Sequence, residues 1–239
     1  MTVFVLVHGA WHGGWCWAAL ERELQAIGHQ SFAPTLMGLG EKSHMLRADI
    51  TPDDHVLDIV NFIKWRELKD VVLVGHSYGG TVITGVAGQI PSQISGMVYL
   101  DAFVPEESGV SLFGRANPNR MAKFQEQIDA GAIAIEPDLF DAWTDDPKVK
   151  DWLHQQCTPH PVGCFQNGVT LTGRETEIAH KFYILAARNK PSAFGAEYEK
   201  VDGRADWKAT KIQTKHNAMI EDPRGLATIL NRYVSERGL

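Results

Sequence analysis

The apolar run Val71-Val72-Leu73-Val74 ends abruptly in Gly75-His76-Ser77-Tyr78-Gly79-Gly80, and a second apolar stretch, Thr81 to Gln89, follows at once. This order calls for a buried strand, a turn too tight for side chains, and a helix folded back on the strand. A continuous apolar, β-branched strand is buried on both faces, as happens in a parallel sheet covered by helices. Within the turn, Gly75 to Gly79 reads G-x-S-x-G. A serine at its centre takes strained backbone angles, and the turn lifts its hydroxyl clear of the sheet. Ser77 is therefore the first candidate functional residue, as a nucleophile. The alternative is a glycine-rich loop with a solvent-facing serine.

The rest of the chain repeats the strand-helix theme. Val3 to Val7 is a second buried strand, followed by a helix from Trp17 to Ile27 with Leu20, Leu24 and Ile27 in helical spacing, then a short strand from Gln30 to Ala33. Pro52 opens a helix that puts Val56, Ile59, Val60 and Ile63 on one face, and Gly96 to Leu100 forms the strand after the central helix. Strands alternating with helices predict a mostly parallel sheet covered on both sides. Between about Val104 and Ala179 the alternation stops. Aromatic anchors appear at helical spacing: Met121, Phe124 and Ile128, then Leu139, Phe140 and Trp143, then Val149, Trp152 and Leu153. Strands resume at Phe182 to Ala187 and Ala209 to Thr214, and a helix from Pro223 to Arg237 closes the chain. The expected organisation is thus a core of residues 1-103 and 180-239 with a helical cap, 104-179, inserted in it.

Composition removes several classes of function. The 239 residues, 44% of them hydrophobic, suffice for one domain. A net charge of -6 supplies no basic field for phosphate backbones, so nucleic acid is excluded as a partner. Val71 to Leu100 carries no Asp, Glu, Lys or Arg, yet its glycines and Pro91 break it into pieces too short to span a membrane. Cys16, Cys157 and Cys164 cannot all pair and show no zinc-site spacing. Reduced thiols, and an opening segment without a basic leader, point to the cytoplasm. No cofactor and no metal is called for.

A serine hydroxyl needs a base. His216 stands just past the last predicted strand, where the catalytic groups of such sheets gather. His8 and His12 lie in the first turn and are read as positioning residues. The tetrahedral oxyanion needs two fixed donors, and the amides of Tyr78 and Ala10 stand at the two turns that supply them. Trp11 and the cap aromatics Phe113, Phe140, Trp143 and Trp152 are candidates for a substrate pocket favouring an apolar or aromatic acyl group, with plain cap core as the other reading.

The segments FVLVHGAWHGGWCW, PTLMGLGEKSH, VVLVGHSYGG, VYLDAFVPEE and HNAMIEDP resemble the small α/β-hydrolases that include plant methylesterases, hydroxynitrile lyases and bacterial relatives. The likeness spans nearly the whole chain and is loosest in the cap. It implies the α/β-hydrolase fold, Ser77 as nucleophile, His216 as base, Ala10 and Tyr78 as oxyanion donors, and a pocket shaped by the cap. The family's usual acid would fall in YILAARNKPS, where this chain has Asn189. A neutral amide cannot stabilise an imidazolium as a carboxylate does. Asp101, at the end of the strand beside the nucleophile strand, is the candidate for a relocated acid, against Asn189 acting alone or with a water. The hydroxynitrile lyases carry Thr after the first-turn histidine and Lys after the catalytic one, where this chain has Gly9 and Asn217. The expected activity is hydrolysis of a small-molecule ester, with a carbamate or lactone also open, through an acyl-enzyme. A ligand receptor on the same fold is the rival from another class, and a homodimer is compatible with either.

Overall fold

The computed structural model describes residues 1–114, 118–138, 140–190 and 192–239; Leu139, one of the predicted cap anchors, lies outside the described residues. The chain opens with β1 (Val3–Val7), a 3-10 turn over Gly14–Trp17, α1 (Ala18–Ala26) and β2 (Gln30–Phe32). It continues through α2 (Pro52–Trp65), β3 (Val71–His76), α3 (Gly79–Gln89) and β4 (Ile94–Leu100). An insertion follows, holding α4 (Pro118–Asp129), β5 (Ala134–Ile135), α5 (Phe140–Trp143), α6 (Pro147–Gln156), β6 (His160–Pro161) and α7 (Gly163–Gln166). The chain then returns to the sheet with β7 (Lys181–Ala186), α8 (Phe194–Val201) and β8 (Trp207–Ile212), and ends with α9 (Ala218–Glu221) and α10 (Pro223–Arg237).

Six parallel strands form one sheet in the order β2-β1-β3-β4-β7-β8. Side chains alternate between its faces, and each face is covered. Val5, Val7, Leu73, Met97 and Tyr99 pack with α2, α3 and the insertion, while Phe4, Leu6, Val72, Val74, Val98 and Leu100 pack with α1 and α10. This two-sided burial is why β1, β3 and β4 read as unbroken apolar runs.

Register decides where the loops meet. Val7 pairs with Gly75, His76 with Leu100, Leu100 with Ile184, and Ala186 with Ile212. The residues that follow β1, β3, β4, β7 and β8 therefore emerge along one edge of the sheet. The chain leaves β1 toward β2 and comes back to β3 on the other side of β1, so a crevice opens between the ends of β1 and β3.

Three elements differ from the sequence expectation. The strand β8 begins and ends two residues earlier than expected; it is an edge strand in which Lys208 is exposed and only Trp207 and Ile212 are buried, so its apolar pattern is weak. The helix α8 was not anticipated, because its core face rests on Phe194, Tyr198 and Val201 with Glu197 buried among them. The insertion is helical in the main, but β5 and β6 form a two-stranded antiparallel ladder within it.

Candidate active site

Ser77 sits at φ 55°, a left-handed conformation that costs a non-glycine residue about 1–3 kcal/mol. The surrounding hydrogen bonds hold it there: its N–H donates to the Leu100 carbonyl at 3.2 Å, and its own carbonyl accepts from Gly80 N (3.1 Å) and Phe103 N (3.2 Å). The flanking glycines answer to sterics. A Cβ on Gly75 would stand 2.5 Å from the Gly79 carbonyl oxygen, and one on Gly79 would run into the Val7 carbonyl. The side chain of Ser77 is half-buried and lines a cavity of about 1000 Å³.

Two residues beyond the sheet face each other behind that serine. Asp101, fully buried and itself at φ 42°, directs Oδ2 to His216 Nδ1 at 2.7 Å. The same oxygen accepts from Asn189 Nδ2 at 2.6 Å, and Oδ1 accepts from Ala186 N at 3.1 Å. A buried carboxylate needs such donors to offset its lost hydration. Asn189 Nδ2 also lies 3.2 Å from Ser192 Oγ, to which it donates, and 3.3 Å from His216 Nδ1, so the amide touches the carboxylate and the imidazole alike. The His216 ring lies flat against Phe194, with centroids 5.1 Å apart and planes 6° from parallel. His76 Nε2 donates to the His216 carbonyl at 3.0 Å and fixes the loop. That role for the variable residue of the G-x-S-x-G turn left no signal in the sequence.

The turn after β1 is held by neutral imidazoles. His8 Nδ1 donates to Gly9 O at 2.8 Å and its Nε2 accepts from Leu36 N at 3.0 Å; burial pushes its pKa down to about 3. His12 Nδ1 donates to Ala10 O at 2.8 Å and its Nε2 accepts from Asn217 Nδ2 at 3.2 Å; burial lowers it to about 4. Both thus reach beyond the first turn, His12 to the residue after His216. Neither the Ala10 amide nor the Tyr78 amide donates a hydrogen bond among the described residues, and both residues line the cavity with Ser77.

Behind Tyr78 lies the one cluster with metal-ligand chemistry found among the described residues: His55, His160 and Cys164, whose ligand atoms fall within 4.8 Å of one another. Hydrogen bonds already claim the ring lone pairs of the two histidines, and the Cys164 thiol donates to Ile50 O at 3.4 Å. His55 Nε2 donates to Met37 O, so its Nδ1 accepts from the Tyr78 hydroxyl, each at 2.9 Å. His160 Nδ1 accepts from Trp11 N at 3.4 Å, which puts the ring proton on Nε2. The trio is a poor fit to a metal ion for that reason.

The cavity walls come partly from expected residues. Trp11 and Trp143 line it, together with Phe103, Leu112, Met121, Phe124, Phe165 and Phe194. Phe113, Phe140 and Trp152 stand elsewhere. Phe113 packs against the core, Phe140 stacks on His154 and meets Trp143 edge-on, and Trp152 leans on Trp15 at the surface. Leu112 beside Phe113, and Ala142 and Trp143 beside Phe140, face the cavity in their place, while α6, which carries Trp152, contributes no lining residue; helical spacing alone could not make that choice. Arg120 lines the cavity as well, ion-paired with Asp138 and lying over the rings of Trp11 and Phe124.

A parallel sheet with a serine on its strand-to-helix elbow, and a carboxylate–imidazole pair on the same edge, defines an α/β-hydrolase, and the chain belongs to that family: the model of the alpha/beta hydrolase family matches residues 4–229. Among its relatives is the carbendazim hydrolyzing esterase of Nocardioides sp. (strain SG-4G), 37% identical over 238 residues, covering 95% of this chain and 97% of that protein. Salicylic acid-binding protein 2 of Nicotiana tabacum is 26% identical over 246 residues, covering 95% of each. Among solved structures, an extracellular alpha/beta-hydrolase from a Paenibacillus species superposes with a TM-score of 0.87 at 24% identity, over 98% of this chain and 99% of that one. No helix among the described residues is long and apolar enough to cross a membrane.

Proposed function

We propose that this protein is a carboxylesterase-type serine hydrolase in which Ser77, His216 and Asp101 are the catalytic residues and the Ala10 and Tyr78 amides are the oxyanion donors. The observation that carries the reading is the 2.7 Å approach of Asp101 Oδ2 to His216 Nδ1, at the edge of a cavity that Ser77 shares. With Nδ1–H committed to the carboxylate, Nε2 is the nitrogen left to take the Ser77 proton. The alkoxide attacks the carbonyl carbon, and the two amides receive the oxyanion. The imidazolium, stabilised by Asp101, returns its proton to the leaving group. Water, activated by the same imidazole, then releases the acid.

The substrate is a small ester with an aromatic or apolar group, since Trp11, Phe124, Trp143 and Phe165 line the cavity together. Segment 104–179 acts as the cap that shapes this pocket. Carbamates and lactones pass through the same type of intermediate and belong to the candidate set. The hydrolysis named for the Nocardioides relative makes carbendazim the first compound to assay. Asn217 supplies no cation beside His216, which favours an esterase over a lyase. The three cysteines are free, in keeping with a reducing cytoplasm, where the enzyme works alone or as a homodimer.

The test is a fluorophosphonate probe. One equivalent of label on wild-type protein, lost in Ser77→Ala together with nitrophenyl ester turnover, is the expected result. Folded protein that takes no label and turns over no ester would favour a ligand receptor instead.

A further inference from the structure

The turn carrying Ala10 is clamped from outside the core. Trp11 sits at φ 65°, a conformation that a bulky side chain adopts only when its surroundings impose it. Its hydrogen bonds among the described residues all reach the insertion. His160 Nδ1 accepts the Trp11 N–H at 3.4 Å, Thr158 N donates to the Trp11 carbonyl at 2.9 Å, and the Trp11 indole donates to Ile135 O at 2.7 Å. On the other side of the site, Tyr78 is tied through its hydroxyl to His55 Nδ1 at 2.9 Å, and the His55 ring is tied in turn to Met37 O. The two imidazoles are neighbours, with centroids 5.8 Å apart, and the His160 ring meets the Tyr78 ring edge-on at 4.8 Å.

His160 is an expensive way to fill this space. It is fully buried, and its Nε2 has no hydrogen-bond partner among the described residues. Leaving a buried donor unmet costs about 1–3 kcal/mol, which an apolar ring of the same size would avoid. Stability alone therefore argues against histidine here, whereas an acceptor for the strained Trp11 amide requires it. Burial holds the His160 ring neutral, so Nδ1 keeps its lone pair for that amide.

We propose that His160 and His55 are positioning residues for the oxyanion site, His160 acting through the Ala10–Trp11 peptide and His55 through the Tyr78 side chain, so that the insertion completes the site as well as covering it. The proposal rests on the serine hydrolase reading above. An amide displaced by a fraction of an ångström loses the developing charge more than the ground-state carbonyl, so the loss falls on kcat and leaves KM nearly unchanged.

The experiment compares His160→Phe, which keeps the ring volume without an acceptor, with His160→Asn, whose side-chain oxygen can stand near the Nδ1 position. Expected for His160→Phe is a fall in kcat of about 10- to 100-fold on a nitrophenyl ester, KM within about twofold, and an equal loss of affinity for a trifluoromethyl ketone that forms the tetrahedral adduct. His160→Asn recovers most of both. Tyr78→Phe, which keeps the ring and folds independently of the His160 changes, is expected to lower kcat in the same selective way. An unchanged kcat in His160→Phe, or a loss confined to KM, overturns the role of His160; an unchanged kcat in Tyr78→Phe overturns that of His55. Wild-type protein that takes no fluorophosphonate sinks the underlying hydrolase reading instead, whatever the variants do.

Discussion

Asn189 donates to Asp101 Oδ2 at 2.6 Å, on the same oxygen that faces His216 Nδ1 at 2.7 Å. The amide at the family's customary acid position and the acid after β4 thus form one unit. On the proposed mechanism the carboxylate orients the imidazole and the amide, 3.3 Å from the same ring nitrogen, steadies the carboxylate. Asp101→Asn is expected to lower kcat by about 10³- to 10⁴-fold, the range associated with losing the charge and the tautomer it selects. Asn189→Ala removes one of several donors to Asp101, so about a tenfold loss is expected. Nitrophenyl ester turnover by the two variants checks both, and a larger effect at Asn189 than at Asp101 would reverse the assignment.

The elbow glycines are steric requirements. Gly79→Ala would push a methyl group into the Val7 carbonyl, and Gly75→Ala would set one 2.5 Å from the Gly79 carbonyl. Neither contact can be relieved by rotating a side chain, because both partners are backbone. Each substitution is expected to cost about 2–4 kcal/mol of unfolding free energy in urea titration. An alanine at Gly109, where nothing lies within 4 Å, meets only its positive φ of 76° and serves as the control, with a cost of about 1 kcal/mol.

Charged side chains join the insertion to the loops that carry Asn189 and His216. Arg188 Nη2 pairs with Asp145 Oδ2 at 2.6 Å, Lys215 Nζ pairs with Asp145 Oδ1 at 2.6 Å, and Arg188 also reaches Glu221. Exposed pairs of this kind contribute little to stability. They sit one residue before Asn189 and His216, however, so their effect falls on loop geometry. Asp145→Asn is expected to leave the thermal midpoint nearly unchanged while raising KM several-fold. The KM of the wild type, but not of the variant, should rise with ionic strength.

In five of the buried histidines, His8, His12, His55, His76 and His160, burial lowers the pKa below the ordinary 6.5, to about 3 for His8 and about 4 for His12 and His55. The folded protein holds these rings neutral while the unfolded chain protonates them near 6.5. Below that value the unfolded state therefore binds more protons, and stability is lost as pH falls from about 6.5 toward about 4. Each ring contributes a slope of about 1.4 kcal/mol per pH unit inside its window. Melting curves between pH 4 and 8 should show a flat upper limb and a steep acid limb. In His55→Gln the acid limb should be shallower; equal slopes in the two proteins would contradict the neutral-imidazole assignment.

Much of this could be read from residue order. The apolar runs at β1, β3 and β4 identify buried parallel strands because both faces of those strands are covered, and Gly75 to Gly79 identifies the elbow because only glycine fits where backbones touch. Asp101 could be suspected, since it ends the strand beside the nucleophile strand. Other features were out of reach. Whether Phe113, Phe140 or Trp152 faces the cavity depends on where the insertion segments lie and how they turn against the core, and α8 depends on a buried face that includes Glu197.

Local sequence determined the elements, the elbow and the chemistry carried at each strand end, because those depend on periodicity and on steric limits within a few residues. The tertiary structure alone decided which strand-end groups come within hydrogen-bond distance and which walls enclose the cavity. Asp101 and His216 lie 115 residues apart and meet only through the register of β4, β7 and β8. Trp11 and His160 lie 149 residues apart and meet only because the insertion folds back over the first turn. Contacts over such distances come from packing of the whole chain, and no short segment encodes them.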